Sequence, residues 1–345
     1  MVTMTELGEK AFLKALLPDL HVASNFVNGF GHDASILDVG LEKLLAFKID
    51  RAPFPVALRR GIGDYRTWGR LAVAANVSDL LAVGATPKAL MLSLVLPGDF
   101  DADHAREIVL GCEAACTAHE IAFVGGDTKQ GASAQVVGAA WGTVDRNGGF
   151  GRTTAKVGDS LFIAGELGAF AGSLALLDTE DLAGEIPKRW IKALVAPEAK
   201  IAEGSYMRES RKISAACDLS DGLAEAIQIF CPEGVGITLS EADLPMHSLA
   251  KIASIKFGIP LWQFAFGVGD WAIACVVREA DVAAFKAEAP AGLKLFEVGR
   301  FDHSEHKAIL DKDGIRRNLP TIINEHFRRR AEDNTGYQEE LLKKI

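Results

Sequence analysis

The stretch Ala72 to Pro87, AVAANVSDLLAVGATP, is almost wholly apolar and carries a single acid, Asp79, at its middle. A carboxylate in such a run is costly to bury unless a cation meets it. Two readings follow. Ser78 or Asp79 caps a helix that begins at Leu80, or Asp79 is a ligand aimed outside the run. Four other short acid-bearing segments stand at the edges of apolar stretches: Gly31-His32-Asp33-Ala34, Lys48-Ile49-Asp50, Gly125-Gly126-Asp127-Thr128 and Asp218-Leu219-Ser220-Asp221-Gly222. Scattered acids of this kind suit hard divalent cations, which take oxygen ligands. Asp is also a common cap and turn former, and any one of these residues admits that reading. All six together do not fit it well.

The chain has 345 residues, more than the ~250–300 at which a single core stops growing, so two domains are expected. Asn147-Gly148-Gly149 is the best break, a turn-rich interval before new periodic structure. It divides the chain into 1–147, 148–327 and a charged tail, 328–345. A net charge of −9 argues against nucleic-acid binding, which needs basic patches. The five cysteines lack CxxC spacing and read as reduced, buried thiols. No apolar run reaches the ~18–20 residues of a membrane span, and the N-terminus lacks a basic-then-apolar leader. A cytoplasmic protein without membrane contact is expected.

Periodicity predicts an amphipathic helix over 5–17 with Leu7, Phe12, Leu13, Leu16 and Leu17 inward, and a strand over 44–50 with Lys48 and Asp50 on one face. A helix over 68–76 leads into a turn at Asp79. Strands are expected at 88–96, 121–124 (stopping at Gly125-Gly126), 135–144, 160–164, 215–218, 272–277 and, as the last, 294–301. Helices are expected at 104–119, capped by Asp101 or Asp103, and at 198–209. Gly165 to Gly172 opens a helix and loosely matches a phosphate-cradling turn, although close packing on a sheet explains its glycines as well. Segment 51–70 carries Arg51, Arg59, Arg60, Arg66 and Arg70 against one acid, Asp64. It is either a solvated basic face or a landing site for an anionic substrate.

Mg²⁺ is usually held by one or two carboxylates together with phosphate oxygens and water. Several such ions on one polyphosphate suffice for phosphoryl transfer, in which the protein supplies position and charge rather than covalent chemistry. The chain offers no G-x-S-x-G, Walker A or HExxH motif, which leaves this chemistry in front.

The motifs GHDASIL, KID, WGRLAVAANVSDLLAVGATPKALMLSL, FVGGDTKQG, GRTTAKVGDSLFIAG, CDLSDGLAEAI and GVGDWAI occur in one order over roughly residues 5–301. The set resembles the thiamine-monophosphate kinase family, within the superfamily of aminoimidazole-ribonucleotide synthetase, selenophosphate synthetase and the hydrogenase-maturation dehydratase. The resemblance implies an α+β fold of two domains, with the N-terminal halves of two subunits pairing into a dimeric β-barrel and a C-terminal α/β domain in each. It implies ATP and Mg²⁺ as cofactors, a small-molecule acceptor and in-line γ-phosphate transfer. By position, Asp33, Asp50, Asp79, Asp127, Asp218 and Asp221 resemble metal ligands, with Asp79, Asp127 and Asp221 nearest the chemistry. Gly125, Gly126, Arg152 and Ser220 resemble nucleotide contacts, and Lys48 stands where its ammonium would face the phosphates.

The departures gather on the acceptor side. The family's GDD is Gly31-His32-Asp33, its Ser/Thr-Thr-Asp is Lys48-Ile49-Asp50, and Ala57 stands near the place of a substrate-contacting histidine. GGDTTRG is GGDTKQG, with Lys129 and Gln130. GGEDYEL becomes Gly267-Val268-Gly269-Asp270-Trp271-Ala272-Ile273, and a C-terminal aromatic is replaced within Asn324-Glu325-His326-Phe327. The resemblance therefore implies a thiamine-phosphate-type kinase or a paralogue with another, anionic acceptor. An aminoimidazole-ribonucleotide synthetase-like ligase and a regulatory nucleotide-binding dimer are the competing readings. The selenophosphate and hydrogenase-maturation chemistries expect an early and a C-terminal cysteine respectively. The first cysteine is Cys112 and the chain ends Leu-Lys-Lys-Ile.

Overall fold

Two sheets carry the chain in a computed structural model that describes residues 2–177, 187–304, 306–320, 327 and 342. The expected tail, apart from Leu342, and Asn324-Glu325-His326 lie outside the described residues. The first half runs α1 (Met4–Leu7), α2 (Glu9–Leu16), β1 (Ser35–Leu37), β2 (Leu44–Ala52), α3 (Val56–Arg59), α4 (Arg66–Ala82), β3 (Thr86–Leu96), α5 (Ala102–Ala118), β4 (Ala122–Gln130) and β5 (Gln135–Val144). The second half runs β6 (Ser160–Ala164), α6 (Ala169–Leu177), α7 (Lys188–Val195), α8 (Ile201–Ser210), β7 (Ile213–Asp218), α9 (Leu223–Phe230), β8 (Gly236–Ser240), α10 (Ser248–Phe257), β9 (Ile273–Val277), α11 (Val282–Glu288), β10 (Leu295–Asp302), β11 (Lys307–Leu310) and β12 (Arg316–Asn318).

The first sheet has the order β1-β2-β5-β3-β4 and the second β12-β11-β8-β10-β6-β9-β7. Among the described strands, only β3–β4 and β8–β11 pair in parallel. This is the α+β architecture expected. The first sheet is open within one chain, with β1 and β4 at its edges. One core cluster joins the halves, because Leu80 and Leu81 of α4 pack in the same apolar group as Phe162, Ala216 and Cys275 of the second sheet. No helix among the described residues is long and apolar enough to cross a membrane.

The helix α4 explains the apolar run. It is buried from Thr67 to Gly69 and from Ala72 to Ala82, and a helix enclosed on all sides reads as a continuous hydrophobic stretch. The expected turn at Asp79 is therefore absent: Asp79 lies inside the helix, and neither it nor Ser78 is a cap. Small residues let neighbours close in. A Cβ on Gly69 would lie 2.0 Å from the Ile108 carbonyl oxygen, and one on Gly111 would lie 2.2 Å from that of Arg66. Gly111→Ala is thus expected to force α4 and α5 apart and to cost about 1–3 kcal/mol, as overpacking does. Urea unfolding checks this, and an unchanged midpoint would contradict so close a crossing.

Other boundaries moved for identifiable reasons. The helix expected over 5–17 breaks at Gly8, and its supposed inner residues Phe12 and Leu13 are 36% and 38% exposed. The strand at 121–124 does not stop at the glycines but runs on to Gln130, so that Asp127 is inside β4. The segment 294–301 is followed by β11 and β12, whose Asp311–Ile315 turn closes a hairpin. Asp101 caps α5 as expected, accepting from the amides of Asp103 and His104.

Candidate functional site

The site forms where α4 of the first half meets β7 of the second. The C-terminal part of α4 presents Ser78 and Asp79, and β7 ends on Asp218. The Ser78 hydroxyl donates to Asp218 Oδ2 at 2.8 Å, and Ser220 donates to the other oxygen, Oδ1, at 2.9 Å. Asp33 comes from the loop before β1. Its Oδ1 accepts from Arg152 Nε at 3.0 Å and Nη2 at 2.7 Å. The amide of Arg152 donates to His32 Nδ1 at 3.0 Å, so His32 and Asp33 together fix both ends of the arginine. Lys48 of β2 projects onto the helix, and its Nζ is 2.9 Å from Asp79 Oδ2.

Three buried carboxylates, Asp33, Asp79 and Asp218, thus face two fixed cations, Arg152 and Lys48. Burial raises the Asp33 carboxyl to about 6, with Asp218 adding to the rise and Arg152 opposing it. Burial and then Asp218 push Asp79 well above the ordinary carboxylate range, against the pull of Lys48. Burial works against the Lys48 ammonium, but Asp79, Asp50 and Asp218 more than offset it and its pKa is raised. Asp221 is raised to about 7 by burial and by Glu225 and Asp218. The excess of buried negative charge is what an added cation would relieve.

The donor set fits a hard divalent ion. Asp33 Oδ2 is buried and has no hydrogen-bond partner among the described residues. Potential ligand atoms of Asp33, Cys217 and Asp218 all lie within 4.8 Å of one another. Burial and the Asp33 carboxylate hold the Cys217 thiol well above its ordinary pKa, which leaves oxygen donors for the ion.

Asp33, Asp79 and Asp218 therefore converge, with Lys48, Arg152 and Ser220 on them. Asp50 shares the Lys48 face two residues along β2, and Asp221 follows on the Asp218 turn. Asp127 stands apart. It is 61% exposed on the edge strand, 3.6 Å from Lys129, and in register with Ser93 rather than with the Lys48–Asp50 face. Gly125 has φ +95°, and a Cβ on Gly126 would lie 1.7 Å from the Leu92 carbonyl oxygen. Both glycines are thus accounted for by the strand pairing. Sequence reasoning missed two contributors. Ser78 was read only as a helix cap, and Cys217 only as a reduced, buried thiol.

The arginine-rich segment does not converge on one point. Arg66 pairs with Glu107 at 2.9 Å, Arg70 donates to the Val195 carbonyl and Arg59 to that of Phe54. Ala57 is buried in an apolar cluster with Val56, Leu174, Leu177 and Leu194.

The glycine-rich turn before α6 is filled from within. Asp270 accepts from the amides of Gly168 at 2.6 Å and Phe170 at 2.8 Å, so a protein carboxylate sits where the loose motif would place a phosphate. Burial raises Asp270 to about 6, against the pull of the two amides and Lys200. Since its folded pKa lies above the unfolded one, this group favours folding most below about pH 4 and loses that contribution as pH rises through about 6. Asp270→Asn removes the titration. The stability of Asp270→Asn relative to the unaltered protein is expected to improve between pH 4.5 and 7.5 by about 2 kcal/mol. Denaturant unfolding at both pH values checks this, and a pH-independent difference contradicts it.

Beside Asp270 a cavity of about 600 Å³ opens between Glu166, Arg189, Lys192, Lys200 and Trp271. Asp218 is in register with Ile273, and Ile273 with Ala164. The cavity rim at Gly165 is thus two strand spacings, ~10 Å, from the acid-bearing edge. A second cavity, about 660 Å³, lies by Ser160 at the opposite end of the sheet, flanked by the Lys286–Glu297 and Arg300–Glu279 pairs.

Fold and site together define a protein that brings an acid cluster to the seam between two α+β halves. Residues 31–144 match the AIR synthase related protein, N-terminal domain, and the chain belongs to the AIR synthase-related superfamily. The putative hydrogenase expression/formation protein of Methanocaldococcus jannaschii is 32% identical, over 81% of each chain. The thiamine-monophosphate kinase of Halobacterium salinarum is 28% identical over 86% of this chain and 96% of its own. The structure of AaThiL complexed with AMPPCP and TMP superposes with a TM-score of 0.77, at 24% identity, covering 94% of this chain and 99% of that one. That likeness shows the fold.

Proposed function

We propose that this chain is an ATP- and Mg²⁺-dependent kinase of the thiamine-monophosphate kinase type, moving the γ-phosphate in line to a small-molecule acceptor. The observation that carries this reading is the convergence of Asp33, Asp79 and Asp218 on Arg152 and Lys48. Bound Mg²⁺ would neutralise phosphate oxygens. Asp33 offers the open ligand position through Oδ2 with Asp218 close beside it, and Asp50, Asp79 and Asp221 surround them. Asp127, exposed on β4 and out of register with the Lys48–Asp50 face, stays outside this set. Arg152 and Lys48 hold the acids in position, and Ser78 and Ser220 fix the rotamer of Asp218. Ser220 is assigned to the nucleotide, while Gly125 and Gly126 serve the pairing of β4 with β3.

The relatives and AaThiL with its TMP point to thiamine monophosphate as the first acceptor to try. A changed acceptor is supported by two details. Ala57 is sealed in an apolar cluster. Gly269, at φ +94°, has the Phe170 ring 2.6 Å from where its Cβ would be, so Phe170 fills the space of the family's glutamate. The cavity beside Asp270, with Arg189, Lys192 and Lys200, suits an anionic acceptor. Purified protein with ATP, Mg²⁺ and thiamine monophosphate is the test. Diphosphate formation at the ~1–100 s⁻¹ usual for kinases establishes that acceptor. ATP-dependent transfer to another anion, with none to thiamine monophosphate, establishes the paralogue. No transfer to any acceptor sinks the kinase reading.

Residues 1–147 and 148–327 are proposed as the two domains, and a homodimer in the cytoplasm as the working form. Phe47, Ile49, Met91, Val124 and Trp141 of the first sheet are 37–70% exposed, an apolar face that a second copy would cover to close the barrel.

A further inference from the structure

We infer that Lys48 is a tethered cation holding the place of one divalent ion, so that this nucleotide site takes one fewer metal than it would with a hydroxyl residue at 48. The inference rests on the phosphotransferase reading above.

The acid cluster is divided unevenly. On the Asp79 side, Lys48 Nζ lies 2.9 Å from Oδ2, and the lysine side chain is 23% exposed against 5% for the acid. Lys48 is on β2, opposite Ala140 of β5, and β1 pairs the other side of the strand up to Phe47. The ammonium therefore reaches Asp79 from a fixed strand. Arg152 is committed elsewhere, with two nitrogens on Asp33 Oδ1, which leaves Lys48 as the cation that meets Asp79.

The other side is open. Asp33 Oδ2 is buried with no partner among the described residues, and it belongs to the close group with Asp218, to which Asp79 does not. Asp33 Oδ2 is the carboxylate oxygen left without a partner, beside Asp218, while Asp79 Oδ2 is already met by an ammonium; the incoming ion is therefore placed at Asp33–Asp218. An ammonium is a compact, strongly hydrated point charge, able to meet a phosphate oxygen much as an ion would while remaining bound to the chain.

Two measurements test the inference on the full-length protein. The first counts Mn²⁺ bound per chain by electron paramagnetic resonance in the presence of AMPPCP. Lys48→Thr is expected to bind one more Mn²⁺ than the unaltered protein, and Lys48→Arg the same number. Lys48→Gln serves if Thr disturbs the strand. The second measures AMPPCP binding in EDTA, where the unaltered protein is expected to bind about tenfold more tightly than Lys48→Thr, the size of one charge-assisted hydrogen bond. Equal Mn²⁺ counts in nucleotide-loaded Lys48→Thr and unaltered protein overturn the inference and leave the phosphotransferase reading standing. Absence of AMPPCP binding in the unaltered protein with Mn²⁺ overturns both.

Discussion

Asp79→Asn is expected to lower ATP-dependent transfer by ~10²–10³-fold, the usual loss when one preorganised electrostatic group is removed from a reacting centre. Asn keeps the volume and one acceptor oxygen, so the helix stays packed. It lacks the charge that holds Lys48 and draws cations to the cluster. Lys48 then faces the nucleotide with Asp50 and Asp218 as its remaining acidic neighbours, and its ammonium repels an arriving metal. Metal-free stability should not fall in step, because Asp79 carries its charge in a setting where burial and Asp218 both oppose it. Steady-state turnover and a thermal melt in EDTA, run side by side, separate the two effects. Turnover within threefold of the unaltered protein, with unchanged Mg²⁺-dependent ATP affinity, removes Asp79 from the site.

The largest stability loss is expected from Arg152→Met, about 3–5 kcal/mol, the cost of leaving a buried charge without its partner. Asp33 is buried, and Arg152 is the cation that holds its Oδ1. The loss should be smaller at pH 5 than at pH 8. Even with Arg152 present the Asp33 carboxyl is raised to about 6, and without the guanidinium it rises further. A native-state pKa above the unfolded one means that stability is retained at low pH and lost as pH climbs. A double-mutant cycle completes the argument: Asp33→Asn should recover much of what Arg152→Met loses, since the stranded charge is gone. A loss under ~1 kcal/mol in Arg152→Met, typical of an exposed pair, would show that this ion pair does not hold the loop.

The sequence made the acids conspicuous because each stands within or at the edge of an apolar stretch, and three of the six meet in space. It did not reveal their surroundings. An acid in an apolar run looks the same whether it caps a helix or lies within one that is buried on every side. That choice is made by the second sheet, β7 above all, more than 130 positions away in the chain. The same reason hides Cys217, whose apolar character disguises a thiol 3.9 Å from Asp33. The end of β4 was misjudged because paired glycines usually punctuate a strand. Here one of them allows the Leu92 backbone to come close, and the pairing continues past a register shift. The β11–β12 hairpin carried an Asp313-Gly314 turn signal, but its strands, Lys-Ala-Ile-Leu and Arg-Arg-Asn, are too short to show the alternation that marks a buried face.

The bond from Ser78 to Asp218 spans 140 residues and that from Arg152 to Asp33 spans 119. Such remote pairings form late, after loop closure has been achieved by nearer contacts. The nucleotide site therefore matures only when both halves have docked, and a chain arrested with one half formed has no place for a ligand. Binding of AMPPCP becomes a reporter of completed folding: in refolding experiments it should appear with the slowest phase and lag behind the recovery of helical signal.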